Sequence, residues 1–285
     1  MNLPGQSKAN SVLDSGTSSK VPALRAYLIT LKSPDSASIK AACGRLTAHG
    51  FEVVIIQGVN GSEIHARDYF RLTNFWHART GHLMTPGELG CALSHKRAWQ
   101  MAASHGEGQH LILEDDFIVS DAALKWIADI HRQVGDGTLL HLGGQEGLKR
   151  FYRYVRAVPL QGASGIAVVE PKDLEFLARA VAYIVDSKTA AALCELMERA
   201  PYVVDNFAYA LTQKAVKQIW FRWVVSHPVD LSASAIEDER RLMGITMKRH
   251  WSYRSRMNWA RLWRHLVSPP SAFLKNRQPG NQLPN

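Results

Sequence analysis

The sequence predicts an α/β domain with a mixed, mainly parallel central sheet flanked by helices. Three observations lead there. Apolar runs of strand length alternate with helix signals through the first half of the chain, the pattern of parallel strands joined by helical crossovers. Thr85-Pro86-Gly87-Glu88 has the form of a capped helix start, with Thr85 as N-cap, Pro86 in the first helical position and Glu88 reaching back. The apolar run Leu111-Ile112-Leu113 stops abruptly in Glu114-Asp115-Asp116, as a buried strand does where it leaves the core for a cleft or for water.

In chain order, residues 1–20 are polar and rich in Ser and Gly, and read as disordered. Ala26–Leu31 is a first strand, broken by Ser33-Pro34-Asp35-Ser36, which opens a helix running to about His49. Phe51–Ile56 is a second strand, closed by the turn Gly58-Val59-Asn60-Gly61. Residues 62–84 show no clear period and read as a long, functional loop. The capped helix runs from Thr85 to about Ser104, and strand 110–114 follows. A helix near 121–133 leads to a strand over Thr138–Leu142 that ends at Gly143-Gly144. The second half is more mixed. Strands are expected at Phe151–Val158, Val181–Val185 and Gln218–Val225, and helices over 187–199 and after Val204-Asp205-Asn206. In open sheets of this kind ligands bind beyond the C-terminal strand ends. The carboxylates 114–116 and the loops after residues 31, 57 and 142 fall near that edge.

Three adjacent carboxylates repel one another unless a cation sits among them. If the strand stays extended to its end, Glu114 and Asp116 point to one side and Asp115 to the other. Two oxygen ligands on one side suit a hard divalent metal such as Mg²⁺ or Mn²⁺. A metal so placed can carry a diphosphate and neutralise it as it leaves. The alternative is a solvated strand end ahead of the helix beginning near Asp121.

Composition narrows the class. The 285 residues suffice for one large domain or two small ones, and 46% hydrophobic with 21% charged residues is ordinary for a globular protein. Cys43, Cys91 and Cys194 are far apart and form no CxxC pair, so neither a disulfide framework nor a thiolate zinc motif is suggested. No apolar stretch approaches the roughly 20 residues that span a bilayer. No secretory signal is evident at the start, so a reducing cytoplasm is the expected compartment. The net charge of +9 is uneven: residues 240–285 hold ten Lys and Arg and no acid, leaving −1 for the rest. That pattern is an appended basic arm rather than a nucleic-acid-binding face.

The run Thr85-Pro86-Gly87-Glu88-Leu89-Gly90-Cys91-Ala92-Leu93-Ser94-His95, then Trp99, then Leu111–Asp116, resembles glycosyltransferase family 25. This family comprises bacterial lipooligosaccharide galactosyltransferases and the related collagen galactosyltransferases. The resemblance extends more weakly over about 25–240, through Ala182–Val185, Val203-Val204-Asp205 and Ser234-Ala235-Ile236. It implies a GT-A-like, Rossmann-like fold, Mn²⁺ or Mg²⁺ held on a UDP-sugar by a D-x-D-like motif, and inversion at the anomeric centre. Three departures stand out. Ser33–Ser36 has no Arg nearby, Arg179-Ala180-Val181 replaces a Gly-Thr, and Asp186 stands where a Ser is common. They bear on the donor sugar and acceptor, and leave an inactive homologue possible.

With the resemblance, Glu114 and Asp116 are the expected metal ligands, and His227 is a further candidate, since a late His can complete such a site. Asp115 and Glu114 are candidates for donor contact, as are Ser94 and His95. Support of strand 110–114 is the alternative for His95. Adjacent on a helix, Ser94 and His95 face different directions and are no nucleophilic pair. Gly87 and Gly90 suit close packing or the close approach of a ligand. Asp205 is the candidate base on the acceptor hydroxyl, or else a helix N-cap. In the arm, Trp259, Leu262, Trp263 and Leu266 recur at helical spacing among arginines. This suits an anionic membrane surface, or alternatively a last helix packed on the core.

The expected organisation is a disordered segment 1–21, a catalytic domain 22–240 and a basic arm 241–285. The expected activity is transfer of a hexose, galactose from UDP-galactose first, to a sugar hydroxyl of a lipopolysaccharide or lipooligosaccharide. The expected partners are the nucleotide-sugar donor, a glycolipid or oligosaccharide acceptor, and an anionic membrane through 240–267, with no nucleic acid. The expected location is the cytoplasm, peripheral on the inner face of the membrane. The alternatives are an inactive homologue or membrane-bound scaffold, and a metal-dependent phosphohydrolase.

Overall fold

The computed structural model describes residues 24–146, 154–162, 165–230, 235–242 and 273–275. The expected disordered segment 1–21, and residues 243–272 of the basic arm with Trp259 and Trp263, lie outside the described residues. The first half alternates as expected: β1 (Arg25–Thr30), α1 (Ala37–Ala48), β2 (Glu52–Gln57), α2 (Ala66–Thr80), α3 (Pro86–Ser104), β3 (Gln109–Glu114), β4 (Ile118–Val119), α4 (Asp121–Ile130) and β5 (Thr138–Gly143). The second half adds β6 (Tyr154–Pro159), β7 (Ala167–Val169), β8 (Ala182–Asp186), α5 (Ser187–Arg199), α6 (Phe207–Thr212), β9 (Gln218–Ser226), α7 (Ala235–Leu242) and β10 (Phe273–Lys275).

The strands form one sheet in the order β10-β6-β7-β9-β5-β8-β3-β1-β2, with β4 pairing β9 off this path. β1 runs parallel to β2 and β3, and β5 runs parallel to β9. β8 is antiparallel to both β3 and β5, so β2, β1, β3, β5 and β9 all point one way across it. Their C-terminal ends therefore open at one edge. β6, β7 and β10 extend the sheet antiparallel beyond β9.

Two cores cover the two faces, because alternate side chains of a strand point to opposite sides. Tyr27, Ile29, Ile112 and Tyr183 pack with Leu89, Ala92 and Trp99 of α3 and Leu193 of α5. Leu28, Leu111, Leu113 and Ile184 pack with Ile39 and Leu46 of α1 and Leu124 and Ile127 of α4. α3 starts where its capping box predicts: the Glu88 amide donates to Thr85 Oγ1 at 3.1 Å, and the Thr85 amide donates to Glu88 Oε2 at 2.8 Å. α5 is capped by Asp186, which accepts from the Thr189 amide at 2.8 Å and the Gly137 amide at 2.8 Å. The departure from Ser at that position is thus a helix cap.

Two expectations are corrected. Residues 62–84 are not a long loop: α2 occupies most of them, capped by the His65 ring and ended by Gly81 at φ 71°. Only Tyr69, Thr73 and Trp76 are buried, a stripe too narrow among charged residues to stand out as an apolar period. The strand carrying the carboxylates also ends at Glu114, and residues 115–116 lie in a turn. Glu114 and Asp116 are not extended neighbours on one side, and the three carboxylates take separate surroundings.

Candidate active site

At the open edge, each carboxylate of the triplet meets a different element. Asp115 Oδ2 accepts from Thr30 Oγ1 at 2.6 Å, at the end of β1, and lies 3.1 Å from Lys32 Nζ. Asp116 Oδ2 is 2.9 Å from His227 Nε2, just past β9. Its other oxygen, Oδ1, is buried with no hydrogen-bond partner among the described residues. Glu114 turns back under the sheet edge to α3, where Oε1 lies 3.0 Å from His95 Nε2 and 3.6 Å from Cys91 Sγ. The structure thus brings two of the expected metal ligands, Asp116 and His227, to one place, while Glu114 stands with His95.

The Asp116–His227 pair fits a divalent cation on two grounds. A buried carboxylate oxygen without a donor is costly and needs a counter-charge. Carboxylate with imidazole is also a donor set for Mn²⁺-like metals. Burial opposes a charged His227 ring, but the bond to Asp116, the charge of that carboxylate and the Pro228 carbonyl together outweigh it and raise its pKa above the usual 6.5. A cation bound there would take the place of that proton. His227 is held from its other sides as well: its amide donates to Glu146 Oε2 at 3.0 Å, and Nδ1 meets the Pro228 carbonyl at 2.7 Å.

His95 is fully buried, and its environment fixes which nitrogen carries hydrogen. Trp99 Nε1–H, a donor only, donates to the Tyr183 oxygen at 2.8 Å. The Tyr183 hydroxyl then donates to His95 Nδ1 at 2.7 Å, leaving Nε2–H to donate to Glu114. His95 therefore supports the end of β3. Ser94 Oγ donates to the Gly90 carbonyl at 2.7 Å and accepts from the Val59 amide at 2.8 Å. It ties the loop after β2 onto α3. A side chain at Gly90 would collide with that loop, its Cβ 2.6 Å from the Val59 oxygen.

Asp205 lies just before α6, but the cap of that helix is Asn206, whose side chain accepts from the Tyr209 amide at 3.0 Å. Asp205 instead accepts from the Arg179 amide at 3.0 Å. Burial pushes its carboxyl above the usual value, and the nearby Glu88 and Glu114 add to the rise, while the Arg179 amide and Arg240 oppose it. A carboxylate so placed is more basic than a solvated one.

Two residues of this cleft escape sequence reasoning. Arg179 sits at φ 63° before β8, in a region that non-glycine residues seldom occupy. Its guanidinium donates to the carbonyls of Gly144 at 2.9 Å and Glu146 at 2.6 Å. Burial lowers its pKa, while Glu146, Asp116, Glu114 and Asp205 favour its charged form. Glu146 also accepts from Trp223 Nε1 at 2.7 Å. The one available signal is the substitution of Arg179-Ala180-Val181 for a Gly-Thr, since glycine is the residue expected at positive φ.

α7 closes one flank. Arg240 donates to Glu88 Oε1 through Nε at 2.9 Å and through a terminal nitrogen at 2.6 Å, and the Gly87 amide donates to Glu239 Oε2 at 2.6 Å. Glu88 also faces His82 at 2.9 Å. Burial would raise the Glu88 carboxyl, yet His82, Arg240 and the Thr85 amide together hold it down to about 2. Among the described residues no helix is long and apolar enough to cross a membrane.

Comparison with solved structures finds distant likenesses. A UDP-glucose pyrophosphorylase complexed with UDP-glucose is 12% identical at a TM-score of 0.45, covering 78% of this chain and 98% of that one. A putative glucose-1-phosphate thymidylyltransferase from Bacillus anthracis in complex with a sucrose is 14% identical at 0.40, covering 77% and 95%. A mannose-1-phosphate geranyltransferase from Thermus thermophilus is 14% identical at 0.35, covering 72% and 74%. At these scores none of the three bears on the chemistry of the cleft. Comparison with curated proteins gives no match. The model of glycosyltransferase family 25 (LPS biosynthesis protein) matches residues 23–208, a span holding the carboxylate triplet, α3 and Asp205. The chain belongs to glycosyltransferase family 25.

Proposed function

We propose that this glycosyltransferase moves a hexose, galactose from UDP-galactose, to a sugar hydroxyl of a lipopolysaccharide or lipooligosaccharide acceptor, with inversion and with a divalent metal. The observation that carries this reading is the meeting of Asp116 and His227 at 2.9 Å beside a buried Asp116 oxygen with no partner among the described residues, at the edge where Asp205 also stands. Asp116 and His227 would hold Mn²⁺ or Mg²⁺, with Glu114 and Asp115 fixing the strand end from either side. When bound, the cation supplies positive charge against the leaving diphosphate. Lys32 and Arg179 add fixed cationic charge to the same cleft.

Inversion is a single displacement. The acceptor oxygen forms its bond to the anomeric carbon from the face opposite the nucleotide. The bond from that carbon to the diphosphate oxygen breaks, and its electrons leave with UDP. The acceptor hydroxyl proton passes to the Asp205 carboxylate, which burial makes more basic than a solvated one. The basic arm fits an acceptor that is anchored in an anionic membrane, holding the enzyme where its substrate lies.

The test is UDP release, measured over a panel of UDP-sugars with Mn²⁺, with and without an oligosaccharide acceptor. Release that requires acceptor supports transfer. Equal release without acceptor points to a hydrolase, and no release with any donor to an inactive homologue.

A further inference from the structure

One cluster is left unused by the transfer reaction. Cys91 and His95 lie four residues apart on α3 and so share a face. Glu114 reaches them from β3. Cys91 Sγ, His95 Nε2 and Glu114 Oε1 all lie within 4.8 Å of one another. We propose that Cys91, His95 and Glu114 form a second metal site, for a thiophilic or borderline divalent cation of the Zn²⁺ class, separate from the Asp116–His227 pair.

The distances fit. A tetrahedral zinc with bonds of about 2.3 Å to sulfur and about 2.0–2.1 Å to nitrogen and oxygen separates sulfur from oxygen by about 3.6 Å and nitrogen from oxygen by about 3.3 Å. The observed separations are 3.6 Å and 3.0 Å. Those two separations need adjustments of a few tenths of an ångström at most, and the sulfur and nitrogen, which such a zinc sets about 3.6 Å apart, lie within 4.8 Å of each other. Without metal, two hydrogens fill the gap, from the Cys91 thiol and from His95 Nε2, both directed at Glu114.

The exchange balances in protons and charge. The thiol proton leaves to solvent. The imidazole proton moves from Nε2 to Nδ1, which then donates to the Tyr183 oxygen, and the hydroxyl hydrogen of Tyr183 turns away from the ring and gives up that acceptor. Thiolate, carboxylate and a divalent cation sum to zero, which suits a partly buried site. Tyr183, itself fixed by Trp99, becomes the outer partner that orients the ligating ring. Three protein ligands leave a fourth position for water, and partial exposure of Cys91 and Glu114 gives a route from the cleft. Thiolate selects against the hard cations expected at Asp116, so the two sites differ in the metal they prefer. The proposal stands without the transfer reaction, and its tests read metal directly.

Co²⁺ titrated into the reduced full chain reports it. The expected result is a near-ultraviolet thiolate-to-cobalt band with the visible bands of tetrahedral cobalt, saturating at one ion and displaced by Zn²⁺. Cys91→Ser loses the near-ultraviolet band, whereas Cys43→Ser, Cys194→Ser and Asp116→Ala keep it. Tyr183→Phe binds roughly 10- to 100-fold more weakly, as loss of an outer partner does. A second measurement needs no variant: Zn²⁺ shields Cys91 from maleimide while leaving Cys43 and Cys194 reactive, mapped by mass spectrometry. No charge-transfer band in the wild-type chain, a band that survives Cys91→Ser, or no protection of Cys91 overturns the proposal.

Discussion

Asp116 and His227 stand 2.9 Å apart although one follows β3 and the other follows β9, with β8 and β5 between those strands in the sheet. The pairing is possible because β3 stops at Glu114. The turn at 115–116 then carries Asp116 along the edge, and β4 pairs with the end of β9 through Ile118–Ser226.

That pairing makes the first prediction. Asp116→Ala abolishes transfer, and Mn²⁺ binding followed by electron paramagnetic resonance falls at least tenfold, while the melting temperature stays within a few degrees. The substitution removes an orphaned buried oxygen as well as a ligand, so the fold loses little. Full turnover of the folded variant, or turnover untouched by excess chelator, removes the metal from the mechanism.

Asp205→Asn separates base from support. The variant should lower kcat by roughly 10²- to 10⁴-fold, the range for a positioned base. Donor affinity should hardly change, because the carboxylate acts on the acceptor. The capping alternative is already unlike the structure, since Asn206 caps α6. A variant with normal kcat and a lowered melting temperature would assign Asp205 to holding the Arg179 amide.

Much of this is legible in the chain, for local reasons. β1, β2 and β3 are built on unbroken apolar runs and β9 on one interrupted only by Arg222, and α3 announces itself by its capping box. The carboxylate triplet is visible because charge at the end of an apolar run has few explanations. The rest depends on distant segments meeting. Glu146 and Arg179 matter through the chain they touch across the cleft, and nothing local marks them except the misplaced Arg at positive φ. The direction of the Glu114 side chain is not local either, because it depends on where the strand ends, which His95 helps to set from another element. α2 escapes a reading by period because its buried stripe is three residues wide.

Acid should weaken the fold through His110 and His141. Burial holds both down to about 4. His141 Nδ1 accepts from the Gly143 amide at 3.2 Å while Nε2–H donates to the Arg179 carbonyl at 2.7 Å, so a second ring proton has no acceptor. Both pKa values lie below the unfolded value near 6.5, so the unfolded chain binds more protons between them. The stabilisation is complete above about pH 6.5 and is lost as pH falls toward 4, by up to roughly 3 kcal/mol per histidine. Denaturant melts at pH 7 and pH 5 check this. A His141→Gln variant should flatten the slope, and an unchanged slope would clear that residue.

The position of Arg240 decides where the basic arm can be cut. Its guanidinium meets Glu88, whose side chain is only 4% exposed, so removing the cation leaves a buried carboxylate facing His82 without its guanidinium partner. Breaking a fully buried pair costs about 3–5 kcal/mol. Arg240 is 39% exposed, so about 2 kcal/mol is the fitting expectation for Arg240→Ala. A chain ending after Leu242 keeps that contact, loses eight of the ten basic residues of 240–285, and should melt near the full chain. Surface cations near an anionic bilayer contribute roughly 1 kcal/mol each. The truncated chain should therefore leave anionic vesicles that the full chain binds, and the full chain should leave them as salt rises. Transfer to a small soluble acceptor should persist. Truncation after Leu242 that unfolds the domain, with a full chain that ignores anionic vesicles, would make the arm part of the core.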